Sequence, residues 1–207
     1  IMKKLWILLS VLVLSFIVAG CKPNEEEEED PTAKDIDIVL ATTWQDELQA
    51  KTVYLTTCGQ ADIDIIRNVM MMAGILDTAY TQDNMLTAAE VEDDSVVILV
   101  VGTSGKGLGA AGTNVTAENT RAEAFATKAN SGKIELIVVH IGGTDRRGEL
   151  SDTIIGSALA GSDLTFVVIT GDADDFFTDH ASDAAPLYLF STASKLVAPF
   201  KVLFGIE

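Results

Sequence analysis

From Lys51 onward, the chain alternates short apolar runs with segments whose apolar residues recur at helical spacing. Several of these runs are nearly continuous in Val, Ile and Leu, as expected for strands that are buried on both faces of a parallel sheet. The predicted strands are Val53–Thr57, Asp77–Thr81, Val96–Val101, Ile134–Ile141 and Leu164–Thr170. The predicted helices are Asp62–Ala73, Met85–Glu90, Ala117–Asn130, Asp152–Ala160 and Ser194–Phe204.

Strands that alternate with helices predict βαβ units joined by right-handed crossovers. Gly74, Gly132 and Gly161 follow three of the predicted helices, where C-cap glycines are common. We therefore predict an α/β fold, a three-layer sandwich around a five-stranded and mainly parallel sheet. The sheet is expected to be flavodoxin-like or Rossmann-like, with strand order 2-1-3-4-5. A single domain is expected over residues 51–207.

The first residues have the pattern of a bacterial export signal. Lys3 and Lys4 precede an apolar run, Leu5–Val18, which is short for a helix that must cross a bilayer core of about 30 Å. The residues that follow, Ala19, Gly20 and Cys21, resemble the lipobox of bacterial lipoproteins. This resemblance implies that residues 1–20 are a cleaved signal peptide and that Cys21 carries fatty acyl groups such as palmitate. An ordinary secretory signal with an incidental cysteine is the alternative.

Residues 21–50 are predicted to connect this anchor to the domain. The consecutive acids of Glu25–Asp30 lie between Pro23 and Pro31, and repulsion between like charges favours an extended linker there. Asp35–Ala50 is expected to be an N-terminal extension that packs on the domain. The protein is thus predicted to lie on the extracytoplasmic face of the cell membrane, anchored by lipid.

The chain is strongly acidic, with 14 basic and 31 acidic residues and a formal charge of −17. Loss of Lys3 and Lys4 with the signal peptide would change this charge to −19. Nucleic acid is a poor partner, because binding it requires a basic surface that displaces counterions from phosphates. An anionic membrane surface would also repel the domain, so the lipid anchor has to hold it there.

In parallel sheets of this kind, ligands bind outside the carboxyl ends of the strands. The first loop at that edge contains Cys58 and Gln60. Cys58 precedes a predicted helix, whose dipole would favour a nucleophilic thiolate. A small buried thiol is the favoured interpretation, since no disulfide framework and no paired histidine accompany it. Gln60 is the better candidate for contacting a ligand.

The third loop contains Gly107-Leu108-Gly109-Ala110-Ala111-Gly112, which formally matches the dinucleotide-binding pattern. Its context is wrong, because it follows the third strand and no acidic residue ends the next one. No cofactor is therefore predicted. Ser104 and Lys106 could instead help the loop to bind a carboxylate or another small anion, and a mobile surface loop is the alternative.

The fourth loop places Arg146 and Arg147 next to each other at a strand-to-helix junction. The planar guanidinium group suits bidentate binding of a carboxylate or phosphate. The alternative is pairing on the surface with Asp145, Glu149 and Asp152. His140, at the end of the fourth strand, is included as a candidate contact, although a buried histidine of the core is the commoner case.

Two other clusters are assigned structural roles. The fifth loop clusters Asp172, Asp174 and Asp175, and a solvated acidic loop with its aromatic residues turned inward is favoured over a divalent-ion site. The run Met70–Met72 is assigned to the sheet-facing side of a helix.

Motifs in these loops resemble an uncharacterised family of exported bacterial proteins, domain of unknown function 6305. The resemblance covers about Val53 to Gly205 and supplies no activity. The motifs that carry it are Leu55-Thr56-Thr57-Cys58-Gly59-Gln60, His140-Ile141-Gly142-Gly143, Arg146-Arg147-Gly148, Asp175-Phe176-Phe177 and Pro186-Leu187.

The leading hypothesis is a lipid-anchored domain that binds a small, anionic solute, in the service of a transporter or a sensor. Its ligand-binding residues would be Gln60, Ser104, Lys106, His140, Arg146 and Arg147. One alternative is a hydrolase or transferase that uses Cys58 or the pair Asp174 and Asp175, with His140 as acid and base. Another is an interaction module whose acidic surface meets a protein partner at the cell envelope.

Overall fold

A computed structural model describes residues 51–181 and 185–206. These residues belong to one compact unit. The predicted signal peptide, Cys21, the acidic linker and the N-terminal extension lie outside the described residues. Within the described ranges, no helix has both the length and the apolar character that a bilayer-spanning segment requires.

A single parallel sheet of six strands forms the centre of the fold, in the order β2-β1-β3-β4-β5-β6. The strands are β1 (Val53–Cys58), β2 (Thr81–Gln82), β3 (Ser95–Val101), β4 (Ile134–His140), β5 (Leu164–Val168) and β6 (Leu187–Phe190). Every residue of β1, β3 and β5 is buried. The α/β class and the parallel sheet are confirmed, and the strand number differs from the predicted five because β6 extends the sheet beyond β5.

The helices are α1 (Ile63–Met72), α2 (Gly105–Ala111), α3 (Val115–Asn130), α4 (Glu149–Leu159), α5 (Phe176–His180) and α6 (Val197–Leu203). α1 and α6 pack on one face of the sheet, with Ile66 and Phe200 fully buried there. α3 and α4 pack on the other face, through residues such as Phe125 and Ile154. Burial of each such side chain contributes roughly 1.5–3 kcal/mol.

Among the strands, the sequence prediction fails at the two edges of the sheet. β6 has only four residues after Pro186, and its first two are half-buried, so its apolar run is too short to identify. At the other edge, Asp77–Ala79 forms a 3-10 turn, and β2 is reduced to Thr81 and Gln82. Edge strands have one neighbour instead of two, so their sequences carry a weaker pattern.

The predicted helix Met85–Glu90 is wrong, because this segment forms turns. Two of its backbone N–H groups donate to nearby side chains: Met85 N donates to Asp83 at 2.8 Å, and Thr87 N donates to Glu90 at 2.8 Å. Arg121 of α3 donates to the carbonyl oxygen of Leu86 at 2.7 Å. These bonds replace the helical ones, and the segment covers one face of the sheet without a helix.

The predicted glycine-rich loop folds as helix α2. Ser104 caps this helix by accepting a hydrogen bond from Gly107 N at 3.1 Å, and Gly112 ends it in the left-handed conformation. Gly107 is required by a close approach, since a Cβ there would lie 2.1 Å from the carbonyl oxygen of Gln60. The glycine spacing therefore reflects helix packing and helix termination.

Two smaller predictions are also corrected. Only Met70 of the methionine run faces the core, whereas Met71 is 64% exposed and Met72 is 62% exposed. Gly161 does not adopt a left-handed conformation as a C-cap glycine would. It lies where a Cβ would come within 2.5 Å of the Ala126 backbone. Gly74 and Gly132 do have positive φ angles after α1 and α3, as predicted.

Candidate functional site

A crevice of about 530 Å³ opens at the carboxyl edge of the sheet. It lies at the switch point, where the chain leaves β1 toward one face of the sheet and leaves β3 toward the other. Three walls enclose it: the turn from β1 into α1, the loop after β2, and helix α2. Its lining residues are Thr57, Gln60, Ala61, Asp62, Ile63, Asp64, Ile65, Asn84, Met85, Gly107, Ala110 and Ala111.

The turn between β1 and α1 has an unusual backbone. Gly59, Gln60 and Asp62 have φ angles of 98°, 59° and 62°, and two of these three residues carry side chains. Left-handed conformations are uncommon for residues other than glycine, and they cluster at functional sites, where the surrounding structure holds them. The surrounding contact is close, since a Cβ at Gly59 would lie 2.2 Å from the carbonyl oxygen of Gly102.

A buried ion pair on α3 is hydrogen-bonded to this turn. The Glu118 carboxylate is fully buried and pairs with Arg121, whose Nη1 lies 2.9 Å from Oε2. The same carboxylate accepts from Gly59 N at 2.9 Å and from Gln60 Nε2 at 3.0 Å. Arg121 in turn donates to the carbonyl oxygens of Thr57 and Leu86. One ion pair thus fixes both the β1 turn and the loop after β2.

Gln60 is a lining residue of the crevice, so this predicted contact lies in the candidate site. Its Nε2 donates to Glu118 Oε2 and, at 3.1 Å, to the carbonyl oxygen of Asn84. Because both partners can only accept, the amide has one consistent orientation. Gln60 therefore joins two walls of the crevice in addition to lining it.

Asp62 brings a predicted arginine to the edge of the site. Its side chain is only 8% exposed, and its Oδ1 lies 3.4 Å from Nε of Arg146. Asp62 Oδ2 and Arg146 Nε are both buried and have no hydrogen-bond partner among the described residues. This ion pair is therefore loosely made, with hydrogen-bonding capacity unused on both sides.

Ser104, which caps α2, and Lys106 in its first turn do not line the crevice. The Ser104 hydroxyl is engaged in capping its own helix, and Lys106 is exposed. The structure therefore keeps the Ser104 hydroxyl and Lys106 out of the lining, although the Ser104 backbone lies beside Gln60 and its N–H donates to the carbonyl oxygen of Gly59 at 2.9 Å.

His140 is fully buried at the end of β4. Its Nδ1 contacts the carbonyl oxygen of Val101 at 3.0 Å, and its Nε2 contacts that of Gly143 at 3.1 Å. Burial lowers the pKa of His140 below its usual 6.5, and the two carbonyl contacts oppose this effect. Both ring nitrogens thus face carbonyl oxygens inside the fold, and the neutral ring donates to one of the two. These contacts assign His140 to the support of the loops.

Arg147 clamps three segments together. Its guanidinium pairs with Asp152 of α4, where Nε lies 2.6 Å from Oδ1, and with Asp174 after β5, where Nη1 lies 2.9 Å from Oδ1. It also donates to the carbonyl oxygen of Gly171 and lies 4.2 Å from the centroid of the Phe176 ring. These contacts use the full fork of the side chain, so Arg147 does not extend toward the crevice.

Cys58 is fully buried, and burial raises the pKa of its thiol from 9.0 to about 12. A thiol of this kind is protonated at neutral pH and is a poor nucleophile. The two His140 nitrogens contact the carbonyl oxygens of Val101 and Gly143 and not the Cys58 thiol. The geometry matches the interpretation of Cys58 as a buried core thiol.

The acidic fifth loop is held by bonds of its own. Asp172 accepts from Phe177 N at 2.6 Å and from the Thr178 hydroxyl at 2.6 Å, and Asp174 pairs with Arg147. Within residues 51–181 and 185–206, no group of three His, Cys, Asp or Glu side chains is arranged to hold a metal ion.

The site also includes Asp62, Asp64, Asn84 and Met85, which were not among the site residues predicted from the sequence. Their signal was present, since Asp62 begins the predicted first helix and Asn84 ends the loop after the second predicted strand. Both positions follow strand ends at the edge where ligands bind. The arginines attracted more attention because basic residues are few in this chain.

The family comparison covers this whole arrangement. A family model described as Domain of unknown function (DUF6305) matches residues 50–204. The chain belongs to this family. The match includes every strand of the sheet and every lining residue of the crevice, so the candidate site is part of the DUF6305 domain. No curated protein matches the chain, and no solved structure does.

Proposed function

We propose that the protein is a membrane-anchored lipoprotein whose DUF6305 domain binds a small solute in the crevice between the β1 turn, the loop after β2 and α2. The observation that carries this proposal is the crevice itself, at the switch point of a parallel sheet. Its volume falls within the range of about 300–1,000 Å³ that is typical of small-molecule sites. Its walls are joined by Gln60 and by the ion pair of Glu118 and Arg121.

The charges around the crevice bear on the kind of solute. The expectation of an anion rests on Arg146 and Arg147, but Arg146 is paired with Asp62, and Arg147 with Asp152 and Asp174. Of the lining residues, the ionisable ones are Asp62 and Asp64. This distribution favours a neutral or positively charged solute over an anion.

Binding is favoured over catalysis by the state of the candidate catalytic groups. Cys58 is buried and protonated, both nitrogens of His140 contact carbonyl oxygens, and Asp174 is paired with Arg147. None of these groups lines the crevice.

The anchor is proposed from the N-terminal pattern of Lys3, Lys4, the apolar run and the lipobox around Cys21. It would place the domain on the extracytoplasmic face of the cell membrane. A solute-binding domain held there could deliver its ligand to a transporter or report its presence to a sensor.

Thermal unfolding of the full chain in mild detergent, screened against a broad set of small metabolites, tests the proposal. A ligand that binds only the folded state raises the unfolding temperature. Ala110→Trp places a large ring at an exposed lining position and should abolish this effect. Ala124→Trp, at an exposed position on α3 outside the lining, should leave it intact. Absence of any stabilising compound, or equal stabilisation of both variants, would overturn the proposal.

A further inference from the structure

The two ionisable residues that line the crevice are both carboxylates. Asp64, in the first turn of α1, is exposed, and Asp62 precedes it in the same turn. An ionised carboxylate accepts hydrogen bonds and has none to donate. Among the residues that line the crevice there is no Lys or Arg to complement them. A ligand that enters this space therefore meets the Asp64 carboxylate with no basic side chain in the lining, while the counter-ion of Asp62, Arg146, lies outside the lining.

Asp62 has a buried carboxylate oxygen without a hydrogen-bond partner in the part of the chain that the structure describes. Its carboxylate is more than nine-tenths buried, yet its Oδ2 has no hydrogen-bond partner among the described residues. Leaving a buried charged acceptor unsatisfied is costly. Its counter-ion Arg146 approaches only to 3.4 Å and leaves its own Nε unsatisfied. Asp62 thus lines the crevice with a buried carboxylate whose pairing with Arg146 is incomplete.

The amide of Gln60 adds to this polarity. All of its hydrogen bonds within the described residues are made by Nε2, to Glu118, Asn84 and Met85. The donors of this amide are thus directed into the protein. Its carbonyl oxygen makes none of these bonds, so it is a further acceptor in the wall.

Apolar side chains flank the acidic part of the crevice. Ile65 is 44% exposed and Met85 is 39% exposed, and both line the space together with Ala110 and Ala111. Large apolar side chains exposed beside a concave polar site are typical of ligand pockets, where the ligand covers them. The crevice therefore combines acceptors with a partly exposed apolar wall.

We propose that the solute is a small organic amine, with a protonated amino group beside Asp64 and Asp62 and an aliphatic part against Ile65 and Met85. This inference rests on the proposed function and specifies its ligand class. An ammonium group supplies three donors and a positive charge, and these complement the carboxylates and the Gln60 carbonyl oxygen. An aliphatic chain removes the apolar wall from water.

Three probes of equal chain length separate charge from shape: cadaverine, pentanediol and glutarate. Their dissociation constants for the full chain in mild detergent are measured by titration calorimetry at constant ionic strength. Cadaverine should bind at least about tenfold more tightly than pentanediol, and glutarate should not bind measurably. Equal binding of all three, tighter binding of glutarate, or failure of cadaverine to bind would overturn the amine assignment.

A charge-matched pair of variants locates the contact. Asp64→Asn should weaken cadaverine binding by about tenfold. Glu149→Gln removes one charge from an exposed position in the first turn of α4, away from the crevice, and should leave binding unchanged. Asp62→Asn should also weaken binding, and asparagine tolerates the left-handed backbone at this position. Equal effects of Asp64→Asn and Glu149→Gln would show non-specific attraction to an acidic protein and would overturn the inference.

Failure of this inference differs from failure of the proposed function. Suppose that Ala110→Trp abolishes the binding of a probe and that Asp64→Asn leaves the binding of the same probe unchanged. The crevice then binds solutes without using the acidic pair. The amine assignment is then wrong and the proposed function stands. If Ala110→Trp leaves cadaverine binding intact, the amine binds elsewhere, and both this inference and the assignment of the crevice are contradicted.

Discussion

At the carboxyl end of β1, one buried carboxylate organises the candidate site. Glu118 is fully buried, and its oxygens accept from Gly59 N, Gln60 Nε2, the Thr113 hydroxyl and Arg121. A charge is stable at such a depth only when it is paired and hydrogen-bonded. The network satisfies this condition and at the same time holds the left-handed turn that begins α1.

We expect Glu118→Gln to destabilise the protein strongly. The change leaves Arg121 buried without its counter-ion, and breaking a buried pair in this way costs about 3–5 kcal/mol. The free energy of unfolding, measured in urea on the full chain in mild detergent, checks this value. Glu123→Gln on the exposed side of the same helix is the control and should change it by less than about 0.5 kcal/mol. Similar effects of both changes would contradict the role given to Glu118.

Cys58 should be unreactive in the folded protein. The Cys21→Ser chain contains Cys58 as its one thiol, and the folded-state pKa of about 12, against 9.0 for an ordinary thiol, reduces the thiolate population at pH 8 about a thousandfold. The rate of alkylation by iodoacetamide, compared between native and guanidinium-unfolded chain, measures this. Equal rates would refute it.

The raised pKa of Cys58 also makes the stability of the fold depend on pH. Because the folded-state pKa of Cys58 lies above the unfolded one, its contribution to stability is fully present below pH 9 and is lost as the pH rises toward about 12. In that window the unfolded chain releases the thiol proton first.

At the scale of elements, the loops after β4 and β5 are joined by one side chain. Arg147 follows the 3-10 turn Gly143–Arg146, pairs with Asp152 in α4 and Asp174, and stacks on Phe176 at the start of α5. Its planar fork allows these contacts at the same time. The clamp positions α4 and α5 against the carboxyl edge of the sheet.

Arg147→Lys should destabilise the protein by roughly 2 kcal/mol, because an ammonium group keeps the charge but cannot bind two carboxylates and the Gly171 carbonyl in one plane. Arg146→Lys is the matched control. Arg146 is 36% exposed and its ion pair is a single contact at 3.4 Å, so a cost below about 1 kcal/mol is expected. Urea unfolding of the two variants measures the difference, and a larger effect at position 146 would contradict the clamp.

For the whole molecule, the excess of acidic residues opposes contact with an anionic membrane. The formal charge of −17 becomes −19 without Lys3 and Lys4. Electrostatics would therefore oppose attachment of the domain to such a surface, so the proposed lipid anchor would have to supply the attachment.

Cys21→Ser should release the protein from the membrane when the full chain is produced in a bacterial host. Fractionation after a high-salt wash, followed by detection in the soluble and membrane fractions, measures the release. Cys58→Ala leaves the lipobox unchanged, and this control should stay with the membrane. Continued membrane association of the Cys21→Ser chain would contradict the proposed anchor.

The sequence by itself determined the central part of the fold. β3 and β4 are apolar runs buried on both faces, and a sequence of this kind forms a strand with neighbours on both sides. α1 and α3 show their helical spacing, and Gly74 and Gly132 mark their ends. In each case the physical cause is local or nearly local, namely hydrophobic periodicity and the conformational freedom of glycine, so it can be read along the chain.

Tertiary structure decided the polar contacts of the site. The segment Met85–Glu90 loses its helix because its carbonyl oxygens accept from α3, and Gly107 is required because α2 touches the backbone of Gln60. The two adjacent arginines look alike in sequence, yet Arg147 is held by Asp152 and Asp174, while Arg146 pairs loosely with Asp62. These outcomes depend on partners far away along the chain. Hydrophobic pattern predicts which residues are buried, but the polar contacts that form a site are fixed only when the elements pack.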